Sequence, residues 1–273
     1  MSETQTDPAW QILALDTGTS MLEKSMLTYT SGFGEIVRVP RVIWVLRGPT
    51  TIVVDTSVPM NGRPSEFIGE DFSRAPHQVP ANALREAGVS PADVELVLLT
   101  HLHWDHAGNC DLFPDARVLV QQQELRYAIS PGRFFRRSFL SPLSGWERPP
   151  YLVPRLDVVE GQTTIAPGVT LVPVPGHTPG SQAVIVNTSH GRFAIAGDAI
   201  STYENIEADL PPGFHTDVDA SISSMDLVRQ FAEHVLPSHD YAVLSGGPVT
   251  EIGAAHAARP LPPIPAAGPR PAS

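Results

Sequence analysis

Leu96-Val97-Leu98-Leu99-Thr100-His101-Leu102-His103-Trp104-Asp105-His106-Ala107-Gly108 joins an apolar run to three histidines and an aspartate. Leu96–Thr100 has strand length and no polar alternation, so it reads as a strand buried on both faces. In extended chain, residues two apart point the same way. The His101 and His103 imidazoles can therefore reach one ion. Asp105 and His106 follow where the chain turns, and can serve a second ion beside the first. Neutral imidazole and carboxylate are the ligands zinc takes. His-x-His-x-Asp-His rarely arises by chance and is far more specific than any lone histidine. Trp104, inside the run, reads as packing.

Three later residues extend the set. Pro175-Gly176-His177-Thr178-Pro179-Gly180 places a histidine in a turn after the strand Thr170–Val174. Asp198 follows the strand Phe193–Ala196, and His239 falls between a helix and a strand in Leu236-Pro237-Ser238-His239-Asp240. Element ends are where chemistry-bearing side chains are commonly displayed.

Around these motifs, β-rich and helical segments alternate. Strands are predicted at Ile12–Leu15, Val42–Leu46, Thr51–Asp55, Arg117–Val120, Ala183–Val186 and Tyr241–Leu244, with a hairpin at Arg47-Gly48-Pro49-Thr50. Helices are predicted over Pro80–Ala87, Gln122–Ile129 and Asp219–His234, the last capped by Asp219. Strands followed by helices in two successive halves predict a sandwich of two sheets covered by helices. Residues 10–256 read as one domain, 1–9 as a frayed N-terminus and 257–273 as an extended, proline-rich tail. An aromatic insertion at about 130–155 carries Phe134, Phe135 and Trp146. It reads as a surface insertion, as a lid or pocket wall for an apolar substrate group, or as an interface.

The chain has 273 residues, 42% apolar and 17% charged, with a formal net charge of −11. That suits a soluble globular domain, and the acidic balance argues against nucleic-acid partners. The one cysteine, Cys110, allows no internal disulfide and reads as buried packing. No signal peptide and no membrane-length apolar run are seen, so a cytoplasmic protein with no membrane partner is expected.

The motifs resemble the metallo-β-lactamase superfamily over residues 12–245. They are Leu99-Thr100-His101-x-His103-x-Asp105-His106-x-Gly108, Pro175-Gly176-His177-Thr178-Pro179-Gly180, Gly197-Asp198 and His239. The resemblance implies a four-layer αβ/βα sandwich of two mixed sheets flanked by helices (α/β, α+β), with the site at the edge between the sheets. It implies one metal on His101, His103 and His177, and a second on Asp105, His106 and His239, with Asp198 bridging. Two divalent ions are implied, zinc first, with iron, manganese or cobalt as alternatives.

Within the superfamily, three stretches are similar to the N-acyl-homoserine lactonases. They are His101-Leu102-His103-Trp104-Asp105-His106-Ala107-Gly108-Asn109, Phe113-Pro114-Asp115-Ala116-Arg117, and Tyr203-Glu204-Asn205-Ile206-Glu207. So is Val53-Val54-Asp55-Thr56, although family members usually continue with glycine where this chain has Ser57. Family lactonases place a carbonyl-polarising tyrosine three residues after the bridging aspartate. Here that position is Ser201, and Tyr203 lies two residues further on. Ser238 stands where glycine usually precedes the last histidine.

The expected function is lactone opening by attack of a hydroxide shared between two metals, with Asp105 and Asp198 as catalytic residues and Asp198 carrying a proton to the leaving group. The alternative is a related hydrolase acting on a thioester, amide or other cyclic ester. A redox protein of the flavodiiron type is disfavoured, since that branch has glutamate at the position of His103 and an added flavin domain. A non-catalytic metal-binding module is disfavoured by the full ligand set. Ser201, Tyr203, His215, Phe134, Phe135 and Trp146 are candidate substrate contacts. Asp55 can hydrogen-bond a metal-ligating histidine. The family resemblance also implies a homodimer.

Overall fold

Alternate residues of the N-terminal strands belong to different cores. Ile12, Ala14, Val42, Trp44, Leu46, Ile52 and Val54 face one apolar cluster, while Leu13, Leu15, Ile43, Val45 and Val53 face another. A period of two that is apolar in both phases requires a sheet covered on both faces. The computed structural model, which describes residues 9–60, 71–259 and 261–264, has that arrangement.

The strands are β1 (Gln11–Glu23), β2 (Ile36–Arg47), β3 (Thr51–Val54), β4 (Asp71–Ser73), β5 (Leu96–Leu98), β6 (Arg117–Gln121) and β7 (Arg155–Val159). They continue with β8 (Thr163–Ala166), β9 (Val169–Pro173), β10 (Gln182–Thr188), β11 (Gly191–Ile195), β12 (His234–Leu236) and β13 (Val249–Glu251). Among the described residues, one sheet runs β13-β1-β2-β3-β5-β6-β7 with β4 on β1, and the other runs β12-β11-β10-β9-β8. Helices α1 (Pro80–Glu86) and α2 (Gln122–Ile129) cover the outer face of the first sheet through Ala83, Leu84, Leu125 and Ala128. The long helix α4 (Val218–Phe231) joins the inter-sheet core through Met225 and Val228; α3 (Tyr203–Glu207) and α5 (Ala254–Ala257) are short. This is the expected sandwich of two mixed sheets with flanking helices.

The pairing directions explain where the site falls. β3, β5, β6 and β7 are mutually parallel, so β3 and β5 end on one edge. β9 and β11 are each antiparallel to β10 and hence point the same way, and β12 is parallel to β11. Asp55, His101, His177, Asp198 and His239 each follow the C-terminal end of one of these strands. In α/β sheets the carboxyl ends of parallel strands are where ligands bind.

Several expectations are corrected. Tyr241–Leu244 is not a strand: Tyr241–Val243 forms a 3-10 turn, closed by the Asp240 carboxylate accepting from Ala242 N at 2.8 Å. The helix cap is Asp217, not Asp219, and accepts from Ala220 N at 3.0 Å. Helix α4 stops at Phe231, and His234–Leu236 leaves it to pair with β11. The segment 130–155 is more than a surface insertion, since Phe139, Leu140 and Tyr151 are buried in the outer core. Residues 1–8, 260 and 265–273, which make up most of the predicted frayed start and tail, lie outside the described residues. The described start of that tail packs down: Ala257 and Leu261 lie against the core, and Arg259 stacks 4.4 Å over the Tyr203 ring.

Replacing Asp217 with alanine removes the cap of α4 and should cost about 1 kcal/mol, whereas Asp219→Ala, in the first turn, should cost only a few tenths. Urea unfolding of the two variants measures this. Equal losses, or a larger loss at Asp219, would assign the cap to the wrong aspartate.

Candidate metal centre

The side chains of His101, His103, His106, His177, Asp198 and His239 are all buried, and Asp105 is nearly so. His103 Nδ1 lies 3.0 Å from His101 Nε2 and 2.9 Å from His177 Nε2. Zinc–nitrogen bonds of 2.0–2.1 Å set tetrahedral ligands about 3.3 Å apart, so this trio has nearly the spacing a single ion needs. A second group is formed by Asp105, His106 and His239, and Asp198 groups with His101 and His106. Asp198 faces both sets. Its Oδ2 is 3.4 Å from His177 Nε2, while its Oδ1 is 3.2 Å from His106 Nε2 and 3.1 Å from His239 Nε2.

The protonation pattern suits cation binding. Burial, with neighbouring His106, holds His101 well below the ordinary imidazole value, and burial with His177 does the same to His103. Burial also lowers His177, so these rings stay neutral with lone pairs to offer. Burial opposes ionisation of Asp198, yet His239, His106 and His177 hold it well below the carboxylate range. His106 is opposite in sense: burial would lower it, but Asp198, Asp105 and Asp55 raise it well above its ordinary value.

Whether the donor set fits a metal is tested by its orphan atoms. Among the described residues, His106 Nε2 and His103 Nε2 are buried without a hydrogen-bond partner. His106 Nε2 points between the Asp105 and Asp198 carboxylates, at 3.5 and 3.2 Å. A buried nitrogen left unpaired among carboxylates is costly unless a cation completes it. The residues fit the group.

Supporting residues orient the donors. Asp55 Oδ2 stands 2.7 Å from His106 Nδ1 and accepts from the Thr100 hydroxyl at 2.8 Å, while its Oδ1 accepts from Thr100 N. This fixes the His106 tautomer so that Nε2 faces the site. His177 Nδ1 donates to the Phe214 carbonyl at 2.6 Å. The Ser238 hydroxyl donates to Asp198 Oδ1 at 2.6 Å, giving a role to a serine found where glycine was expected. Ser57, also in place of glycine, adopts φ +65° and is held by hydrogen bonds to Thr17 and Arg74.

Two important residues were missed from sequence. Glu124 on α2 is wholly buried. Its carboxylate accepts from Leu102 N at 2.9 Å, Gly180 N at 3.1 Å and the Thr178 hydroxyl at 2.6 Å. One side chain thus ties the His101–His103 loop to the His177 loop. A Cβ on Gly180 would meet Glu124 N at 2.0 Å, which explains the glycine. Arg41 on β2 is buried beside Asp105. Neither lies near a histidine in sequence; Arg41 is at least an ionisable residue in an apolar stretch, whereas Glu124, among glutamines and Arg126, gives no signal.

The donors open into a cavity whose wall includes Leu22, Met26, Leu27, Trp104, Ser138, Ser201 and Phe214. Ser201 is thus in place. Tyr203 is not: it is buried, and its hydroxyl donates to the Val235 carbonyl at 3.2 Å. His215 faces away, bonded to the Pro212 carbonyl and edge-on to Tyr29. Phe134 and Phe135 stand behind Phe214, at 6.1 and 5.3 Å between ring centroids, and Trp146 packs on the outer core.

Fold and donors define a metal-site α/β sandwich. The sequence profile of the metallo-beta-lactamase superfamily matches residues 38–239, and the chain belongs to that superfamily. An N-acyl homoserine lactonase of Bacillus sp is 28% identical over 226 residues, covering 78% of this chain and 84% of the relative. N-acyl homoserine lactonase AttM of Rhizobium radiobacter is 31% identical over 172 residues, 60% of this chain and 61% of its own. Among solved structures, an N-acyl homoserine lactone hydrolase with N-hexanoyl-L-homoserine bound at its catalytic metal center superposes with a TM-score of 0.73. It is 23% identical and covers 87% of this chain and 95% of its own. The dizinc quorum-quenching lactonase AidC gives 0.68 at 16% identity, covering 90% and 95%.

Burial pushes Glu124 up to about 7 against the hydrogen bonds that favour its anion. A carboxyl raised by folding contributes stability that is present below its ordinary value and lost as pH rises through the folded one. Between about pH 5 and pH 8, wild-type stability should therefore fall more steeply than that of Glu124→Gln, by on the order of 3 kcal/mol. Urea midpoints across that range, with chelator present, measure it; parallel curves would refute the role.

Proposed function

We propose that this chain is a metal-dependent hydrolase that opens lactones, with N-acyl homoserine lactones as the leading substrate class. The observation that carries the reading is the convergence of both donor groups on the floor of one apolar-walled cavity. The names of its relatives support the substrate class.

In this reading His101, His103 and His177 hold one divalent cation and Asp105, His106 and His239 a second, with Asp198 between them and zinc the leading candidate. Two such cations, when bound, lower the pKa of a shared water to about 7 and polarise a carbonyl oxygen. The protein's own residues supply the rest. Leu22, Met26, Leu27 and Phe214 take the hydrocarbon part of the substrate and exclude water. The Ser201 hydroxyl is placed to orient the substrate carbonyl, since the residue lines the cavity and its backbone oxygen is anchored by His239 N at 2.8 Å. Asp198, oriented by Ser238, would take the proton released as the attacking water adds to the carbonyl and pass it to the departing ring oxygen. The buried thiol of Cys110, in a chain without a second cysteine, supports a reducing, cytoplasmic setting.

A second reading, a thioester or another cyclic ester as substrate, is favoured by one feature. No tyrosine is among the described residues lining the cavity, and the Tyr203 hydroxyl is spent on Val235.

Chelation should abolish hydrolysis and added zinc should restore it. His103→Ala and Asp198→Ala should lose metal and turnover together, while Asp55→Asn should weaken metal binding about 10–100-fold with the fold intact. Metal analysis and turnover of lactones of varied acyl length, thioesters and a β-lactam provide the measurement. Full lactone turnover by metal-free protein would overturn the reading, and thioester turnover above lactone turnover would select the second.

A further inference from the structure

Arg41 has no part in the scheme above, yet it stands inside the donor cluster. It is 2% exposed on β2. Its Nε donates to Ser20 Oγ at 2.9 Å, and its guanidinium lies 5.5 Å from the Trp104 ring centroid. Nη1 donates to Asp105 Oδ2 and lies 3.1 Å from His239 Nε2. The side chain is thus held at its stem, on its face and at its tip, and its position is built by the fold.

Asp105 and His239 belong to the second donor group. An arginine stays protonated and has no lone pair to offer, so it cannot ligate. It competes for the Asp105 carboxylate and repels any cation seated beside it. The group of His101, His103 and His177 shares no residue with these contacts. We propose that Arg41 makes the two cation positions unequal: the three-histidine position fills first and tightly, and the Asp105–His106–His239 position fills weakly, as Arg41 gives up its hold on Asp105. This inference rests on the metal-site reading above, and it names the residue that sets how far the second position is occupied.

The test is zinc titration of chelator-stripped protein against a chromophoric competitor, with metal content counted independently and folding checked by circular dichroism. Wild-type protein should take up two ions in separate steps. Arg41→Met, or Arg41→Gln if the first fails to fold, should tighten the second step at least tenfold and leave the first unchanged. Arg41→Lys should keep the gap, because the charge remains. Two indistinguishable wild-type steps, a gap unchanged in the neutral variants, or a gap lost in Arg41→Lys would each overturn the proposal. Uptake of no zinc at all would instead overturn the metal-site reading on which it rests.

Discussion

Five imidazoles and two carboxylates buried within a few ångströms of one another cannot satisfy each other. Neutral imidazoles have one donor each, so His103 Nδ1, 3.0 Å from His101 Nε2 and 2.9 Å from His177 Nε2, cannot satisfy both. The carboxylates of Asp105 and Asp198 accept only. Much of the surrounding structure holds this frustrated cluster in place. Asp55 fixes one ring, the Phe214 carbonyl another, Ser238 one carboxylate and Arg41 the other. Each contact is a polar pair placed where water is excluded, which is where such pairs are strongest and most costly to break.

The cluster also welds the two sheets. His101, His103, Asp105 and His106 leave the first sheet, and His177, Asp198 and His239 leave the second. Glu124 and Gln182 bridge the same gap. Gln182 donates through its side chain to the Leu99 carbonyl at 2.7 Å and through its backbone to the Thr100 carbonyl at 2.8 Å. The metal-binding edge is therefore preassembled by hydrogen bonds that do not involve the donors themselves.

The sequence made the donor set legible because its members sit in motifs that physics restricts. Two histidines two apart after a buried strand, and glycines where a Cβ cannot fit, leave few readings. At Gly108 a Cβ would meet Ser57 O and Pro59 N at 2.4 Å, so the glycine after the histidine run answers to packing across the site. The sandwich was legible from strands followed by helices in two successive halves, and the apolar run Leu96–Thr100 already demanded cover on both faces. What stayed hidden depended on partners far along the chain. Arg41 gains its meaning from Asp105, and Glu124 from Leu102 and Thr178. Tyr203 looked like a site residue by proximity to Asp198, but α3 turns its hydroxyl toward Val235. The strand read at Tyr241–Leu244 failed because Asp240 offered its backbone a local partner, which competes with sheet pairing.

Arg41 also bears on what the cavity can accept. A guanidinium stands beside Asp105 at the floor of a pocket walled by Leu22, Met26, Leu27 and Phe214, so its charge belongs to that floor whatever ion occupies it. In the proposed reaction, opening of a lactone turns a neutral ring into a carboxylate, which a positive charge attracts. A site that grips its product too firmly is slow to release it, and uniform tight binding gives no rate advantage. The Asp105 carboxylate, facing the same guanidinium, offsets that charge. The Arg41–Asp105 pair is thus close to neutral by itself, and the potential that the floor offers a carboxylate is set by the ions seated on the donor groups.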